Sequence, residues 1–382
     1  MKNLRRLIIV NNQNMIGGGV ELLNNTLVNF AKENNLEPVS CNLEEVNEIA
    51  RQSDYVYIQA EGRLSSAFRD IIEQTLEKGC IVFEKNVFAL HSKFRPNHKN
   101  YFMILMSHDG LYRFKIRESL HIKRYLGPIL IVPNLQVKQL DYKRESSKAN
   151  RNLYSYKEFR ILRIGRPDIK KFSDFEIRFS QILTIKLPRM KIILTLVGAP
   201  ALITRSIGST PENLEIQLLP YGANIVELYK NADLYLHYSK IGETFGHTFF
   251  EARKSGLASL GVFDLKWDCA PIEYLSQEML FVSRAKALEN PIDVIETTLS
   301  MKLNQMSDLE FVEVNQSVFN RNREKLIKRK PSLLASLKHL KSCSEILGIG
   351  RLSYFYAIFF EITKEILFKL SELKNSKTGF YK

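Results

Sequence analysis

The sequence predicts an α/β protein of two doubly wound domains in series, with a basic helical segment at its C-terminal end. Three observations carry that reading. Short strands that are apolar throughout alternate with longer amphipathic segments, and this alternation occurs twice. Strands without a polar face belong to parallel sheets covered by helices on both sides. A charged stretch rich in Ser, Asn and Tyr separates the two series, and a chain of 382 residues is too long for one ordinary core. The expected organisation is a first domain over 1–137, a linker over 138–157, a second domain over 158–330 and an extension over 331–382.

The N-terminal "MKNLRRLIIVNN" sets basic residues before an apolar run, as a secretory leader does. The run covers only Leu7 to Val10, so a first strand fits better. Gly17, Gly18 and Gly19 follow and open a helix expected over Gly19 to Asn34. Bare amides at a helix start make an anion site, and a tight strand-to-helix turn explains the glycines equally well. Neither G-x-G-x-x-G nor a Lys-Ser/Thr pair is present, so neither dinucleotide nor Walker-type binding is indicated. "DYVYIQA", a helix over Ser65 to Lys78, "CIVFEKN", "YFMILMS" and "PILIVPN" complete the first series. His108, just after the fourth of its strands, reads either as a ligand-binding residue or as a turn histidine beside Asp109.

In the second series "FRILRIG", "MKIILTLVG", "LEIQLLP", "ADLYLHYS", "LASLGVF" and "MLFV" read as strands. Helices are expected over Asp174 to Lys186, Asn224 to Asn231 and Gly246 to Ser255. Two such domains would face each other across a cleft, and ligands of doubly wound sheets bind at the carboxyl ends of the strands.

Composition narrows the class. Hydrophobic content of 45% and charged content of 25% are ordinary for a soluble globular protein. Cys41, Cys80, Cys269 and Cys343 are scattered, which argues for a reducing, cytoplasmic compartment and against a zinc or disulfide scaffold. No run reaches the ~18 apolar residues a membrane-spanning helix needs. The net charge is +14, and the stretch from Arg321 to Lys382 holds 14 Lys and Arg against five Glu. A basic end suits nucleic acid, an anionic membrane face or plain solubility. Its aromatic core, Tyr354 to Ile362, reads as a helix packed across the domains or as one lying on a membrane surface.

The chemistry concentrates in the second series. Arg166 leaves the end of a strand, and Lys170 and Lys171 follow in the loop. Cations at one strand end suit a diphosphate, whose charge they neutralise as it departs. In "ETFGHTFFEA", Gly246 permits a sharp turn, the helix starts near His247, and its amides favour a phosphate or sugar oxygen. Glu251 lies one turn into that helix and Glu243 in the loop before it. A carboxylate accepts from adjacent hydroxyls such as those of a ribose. Acids reading hydroxyls, with cations and amides holding phosphates, describe a nucleotide-sugar. His237, inside an apolar strand, reads as a core residue, whereas His247 stands beside the phosphate position.

These residues resemble those of GT-B glycosyltransferases, most closely the retaining nucleotide-sugar transferases of family 4 (glycosyl transferases group 1). The resemblance rests on Glu243 and Glu251 with seven residues between, on Phe245-Gly246, Glu251-Ala252 and Ser255-Gly256. It extends to "LTLVGAP" (194–200), "GRPDIKK" (165–171), "NADLYLHYS" (231–239), "GGGVE" (17–21) and "IVPNLQV" (131–137). It implies two Rossmann-like domains, a UDP- or GDP-linked donor as co-substrate with no cofactor, and metal-independent transfer with retention. The absent Asp-x-Asp motif agrees with metal independence. By the resemblance, Arg166 and Lys171 (Lys170 in a shifted loop) bind the donor diphosphate, Glu251 the ribose and Glu243 the donor sugar. Phe245 and Gly246 lend amides, and Gly18 and Gly19 approach the diphosphate from the other domain. His108 is a further candidate at donor sugar or acceptor. Phe172 stands where the family often has glycine, Ala258 where proline is usual, and "CAPIEYL" replaces a Gly-Gly before Glu273.

The expected protein is therefore a cytoplasmic glycosyltransferase, peripheral on the inner membrane face, acting on a glycan or lipid-linked acceptor in surface polysaccharide or lipopolysaccharide assembly. Two rivals come from other classes. A nucleic-acid binder suits the charge, but the sequence lacks helix-turn-helix or zinc-finger spacing, and its paired acids would repel phosphates. A non-catalytic transferase-like subunit is the other, against which Arg166, Lys171, Glu243 and Glu251 are all present. A sugar phosphorylase on the same fold is a variant within the enzyme class.

Overall fold

The computed structural model describes residues 5–10, 19–60, 66–86, 95–105, 107–119, 125–127, 129–131, 152–169, 171–205, 207–239, 242–243, 246–264, 268–275, 279–301 and 333–347. Of the expected features, Gly17, Gly18, Lys170, Phe245, residues 132–137 of the "IVPNLQV" motif, residues 138–151 of the linker and the aromatic stretch 354–362 lie outside them. The chain divides into two compact units, the first comprising Met1–Gln136, Phe319–Leu340 and Phe355–Lys382, the second Val137–Val318 and Lys341–Tyr354.

In the first unit, β1 (Arg6–Val10), β2 (Glu37–Cys41), β3 (Tyr55–Ala60), β4 (Ile81–Asn86), β5 (Tyr101–Leu105) and β6 (Ile129–Ile131) form one sheet. Its order is β2-β1-β3-β4-β5-β6, and every pairing is parallel. Helices α1 (Gly19–Glu33), α2 (Val46–Ile49), α3 (Ser66–Glu77) and α4 (His108–Ser119) connect the strands. The alternation of side chains along a strand sends Ile8, Val56, Val82 and Met103 to one core, with Ile72 and Leu76 of α3. Leu7, Ile9, Tyr57 and Ile104 go to the other, with Ala31 of α1. The apolar-throughout strands are thus buried on both faces, as expected.

Polar sequence accounts for what was not anticipated. β2 ("EPVSC") is an edge strand containing Pro38, with only Cys41 buried, so no apolar run announces it. Asp109, Arg113, Arg117 and Glu118 of α4 are all buried, which hydropathy alone does not suggest. Arg113 Nε donates to Asp109 Oδ2 at 2.8 Å, one turn away. His108 is the first residue of this helix rather than a turn residue. On β4, Glu84 is held by Arg95 Nε at 2.6 Å and by the Tyr101 hydroxyl. Its neighbour Lys85 is 5% exposed and makes no ion pair among the described residues.

In the second unit, β7 (Glu158–Ile164), β8 (Lys191–Val197), β9 (Leu214–Leu219), β10 (Leu234–Tyr238), β12 (Ala258–Phe263) and β14 (Leu280–Ser283) form another parallel sheet, ordered β14-β12-β10-β7-β8-β9. The two-residue strands β11 (Gly242–Glu243) and β13 (Asp268–Cys269) pair beside it. The helices are α5 (Phe175–Lys186), α6 (Ala201–Arg205), α7 (Ile225–Asn231), α8 (His247–Lys254), α9 (Ala270–Leu275), α10 (Arg284–Glu289) and α11 (Pro291–Ser300). A last helix, α12 (Leu333–Ile346), belongs to the first unit up to Leu340 and to the second from Lys341. No described helix is long and apolar enough to cross a membrane.

Candidate functional site

The chain runs β7, β8, β9 outward on one side of the second sheet, then returns to place β10 on the other side of β7. Connections leaving β7 and β10 therefore diverge, and ligands of doubly wound sheets bind at that switch point, outside the carboxyl ends of the strands. Lys171 comes from the loop after β7 and Glu243 from the loop after β10, and the fold brings them together. Lys171 Nζ lies 2.9 Å from Glu243 Oε1 and 3.5 Å from the Gly242 carbonyl.

A second group holds the same oxygen. His237 Nε2 lies 3.0 Å from Glu243 Oε1. On the other side of the ring, Nδ1 is 3.0 Å from Arg163 Nη1 and 2.9 Å from the Tyr235 hydroxyl. A guanidinium has no acceptor, so Nδ1 must be the acceptor and the ring proton sits on Nε2, donated to Glu243. Burial, and then the Arg163 charge, push the His237 pKa down to about 4, so the imidazole is neutral. Burial alone would raise Glu243, but the Lys171 ammonium and the His237 donor outweigh it and hold the carboxyl well below the usual range. Glu243 is therefore an ionised carboxylate whose Oε2 has no partner among the described residues.

Arg163 organises this corner and is fully buried. Its Nε donates to Glu176 Oε1 at 3.0 Å, and its Nη2 to the carbonyls of Lys171 at 2.7 Å and Tyr238 at 3.1 Å. Its Nη1 also reaches the Ile164 carbonyl. One side chain thus ties the ends of β7 and β10 to α5 and to the loop carrying Lys171. The Phe172 ring lies 4.7 Å from the guanidinium carbon, a cation–π contact that gives the departure at this position a packing role. That ring also fills the space a Cβ on Gly165 would need, 2.8 Å from it.

Gly246 turns the chain into α8 with φ 78° and ψ 62°, left-handed backbone that glycine alone adopts freely. A Cβ there would stand 2.7 Å from the Phe249 ring and 3.2 Å from Pro271. His247 is the first residue of α8 and is half-buried. Glu251 is buried one turn on, and the Tyr229 hydroxyl donates to its Oε2 at 3.0 Å. Tyr235, which touches His237, lies 2.5 Å from Thr248 Oγ1 on the same helix. Glu243 and α8 are thus joined through a buried hydrogen-bonded chain.

Arg166 lies two residues past β7, half-buried and without an ion pair among the described residues. Gly19 opens α1 and His108 opens α4, both in the first unit, after β1 and β5. Sequence reasoning missed Arg163 and Tyr235, and it read His237 as core; the ring is buried, but it also touches Glu243. The available signal was a charged or ionisable residue interrupting each apolar strand, Arg163 in "RILRIG" and His237 in "LYLHYS".

No protein-family model matches the sequence, and no curated protein matches it. Solved structures do. A glycosyltransferase from Rickettsia africae superposes with a TM-score of 0.55 at 15% identity, covering 90% of this chain and 99% of the other. HepE of Anabaena, solved with UDP and glucose, gives 0.53 at 13% identity, covering 84% and 100%. The protein has the GT-B fold. The pneumococcal O-GlcNAc transferase GtfA, solved with UDP and GlcNAc, matches 80% of this chain at 16% identity with a TM-score of 0.47, and this chain spans 59% of its length.

Proposed function

We propose that this protein is a glycosyltransferase that moves a sugar from a UDP- or GDP-linked donor to a glycan or lipid-linked acceptor. The observation that carries the reading is the Lys171–Glu243 pair, 2.9 Å apart at the switch point of the second sheet. It places a cation and an ionised acceptor where doubly wound sheets take ligands. Lys171, with Arg166, supplies positive charge for a departing diphosphate. Glu243 accepts from sugar hydroxyls. Glu251, Gly246 and the start of α8, with His247, take the ribose and phosphate ends, and Phe245 is assigned a backbone amide by the resemblance.

The finer parts of the reading rest on the motifs. The Glu243/Glu251 spacing is that of the family 4 transferases, which implies retention, with the departing phosphate oxygen taking the acceptor proton. Arg166 and Lys171 suit neutralisation of the leaving group without a metal. Gly18, Gly19 and His108 are assigned to the donor diphosphate and to sugar or acceptor contacts from the first unit. The basic C-terminal stretch would bring the enzyme to an anionic inner membrane face, where lipid-linked acceptors of surface polysaccharide or lipopolysaccharide are found.

The test is thermal denaturation of wild type and Glu251→Ala with UDP-, GDP-, ADP- and CMP-sugars. One donor should stabilise the wild type and not the variant. Silence from every donor at millimolar concentration, from folded protein, would sink the enzyme reading in favour of a non-catalytic subunit.

A further inference from the structure

Among the described residues, Glu243 has two partners of different kinds. Lys171 is placed to serve a donor diphosphate, so its bond to Glu243 competes with ligand. His237 is 3% exposed and sits behind the carboxylate, so its bond persists whatever Lys171 does. The value of that bond depends on which ring nitrogen carries the proton. With the proton on Nε2, the imidazole donates and Glu243 must be ionised to accept. With the proton on Nδ1, Nε2 becomes an acceptor, and an ionised Glu243, itself acceptor-only, could not satisfy it.

We infer that Arg163 and His237 are positioning residues for the donor site: Arg163 fixes the Nε2–H tautomer of His237, and that tautomer holds Glu243 ionised and in one orientation for a sugar hydroxyl. The inference rests on the donor-site reading above. Its geometry is complete on the protein side. Arg163 Nη1 approaches Nδ1 at 3.0 Å from β7, and the Tyr235 hydroxyl approaches it at 2.9 Å from within β10. Phe249 of α8 packs on the ring at 4.5 Å between centroids. Among the described residues, Lys171 and Glu243 are the charged groups on the Nε2 side. An imidazolium here would set a second buried cation beside Arg163, so the ring stays neutral while Arg163 is in place. Arg163 is itself anchored by Glu176 and three backbone carbonyls, which leaves its guanidinium little freedom to release Nδ1.

The experiment reads the ring directly. In the full chain labelled with ¹⁵N-histidine, long-range ¹H–¹⁵N spectra of wild type should show one ring, absent from His237→Gln, in the Nε2–H form and unchanged from about pH 5.5 to 8.5. In Arg163→Met with Glu176→Gln, made together so that no buried carboxylate loses its cation, that ring should titrate or mix tautomers. Activity gives the second readout. His237→Leu should lower kcat about 10- to 100-fold, the span of one hydrogen bond to an ionised group, and raise the acid limb of the pH profile. His237→Gln, whose amide can donate from near the Nε2 position, should restore most of it. A wild-type ring in the Nδ1–H form, or one titrating in that window, overturns the inference, as does a His237→Leu enzyme with wild-type kcat and pH profile. If the double variant does not fold, the wild-type spectrum and the Leu–Gln comparison still decide. If the ring behaves as described but wild type turns over no donor, the donor-site reading falls while the tautomer lock stands.

Discussion

Lys171 Nζ and Glu243 Oε1, 72 positions apart in sequence, meet at 2.9 Å because β7 and β10 are neighbours in the sheet. Each arrives on the loop that leaves its strand. The pair is therefore a product of strand order rather than of any local motif.

Removing either partner should have opposite effects on the donor diphosphate. Lys171→Met takes away a charge-assisted bond worth ~1.5–3 kcal/mol, so affinity for UDP or GDP, whichever binds, should fall about ten-fold or more. Glu243→Gln frees Lys171 and should leave that affinity equal or higher while abolishing turnover of the nucleotide-sugar. Calorimetric titration of both variants with the free nucleotide checks this. Unchanged nucleotide affinity in Lys171→Met would falsify the assignment of Lys171.

Acid stability should carry the signature of His237. The unfolded chain takes up a proton near the ordinary value of 6.5, whereas burial and Arg163 lower the folded value to about 4. The unfolded state thus binds more protons between those values, and stability falls as pH drops through the window, by roughly 3 kcal/mol at most. The lowered pKa of Glu243 adds a loss further down, where the unfolded carboxylate protonates first. Urea titrations of wild type and His237→Gln at pH 7, 5.5 and 4.5 should converge on a shallower slope for the variant. Parallel slopes would mean that the ring is not held neutral.

Much of this architecture is legible in the sequence. β1, β8, β10 and β12 announce themselves because both their faces are buried, so most positions are apolar. Gly246 and the start of α8 were legible from one glycine before an amphipathic run. β2 and α4 were not, since an edge strand needs no apolar face and α4 buries charges such as Asp109 and Arg113 by pairing them one turn apart. The site divides the same way. Lys171 stands in a loop, Glu243 in the two-residue β11 and Glu251 one turn into α8, all beyond the ends of the main strands, where a charged residue signals a ligand. Arg163 and His237 stand inside strands, where an ionisable residue in an apolar run is the one local signal, and their contact with each other spans 74 positions that no local pattern bridges.

Gly246→Ala should destabilise the second unit by about 2 kcal/mol or more, because the added Cβ meets the Phe249 ring and Pro271 while φ stays at 78°. The same change displaces the start of α8 and with it Glu251, so the stabilisation by a nucleotide-sugar should shrink as well. Gly208 has nothing within 4 Å of a Cβ, so Gly208→Ala serves as the control and should unfold with wild type. Equal denaturation midpoints for the two variants would contradict the turn argument.

Lys85 makes the last prediction. Burial lowers its pKa from 10.5 to about 7, and it makes no ion pair among the described residues. The unfolded chain holds this proton up to about pH 10, while the folded protein releases it near 7. Between those values the unfolded state binds more protons, so stability rises with pH, and below about 7 the full cost of the buried charge is present. Lys85→Met keeps the apolar stem and removes the charge. It should stabilise the first unit by up to several kcal/mol at pH 6, with the advantage shrinking steadily toward pH 10. Chemical denaturation across that range measures it directly. A variant less stable than wild type at pH 6 would show that the ammonium has a partner that offsets its burial.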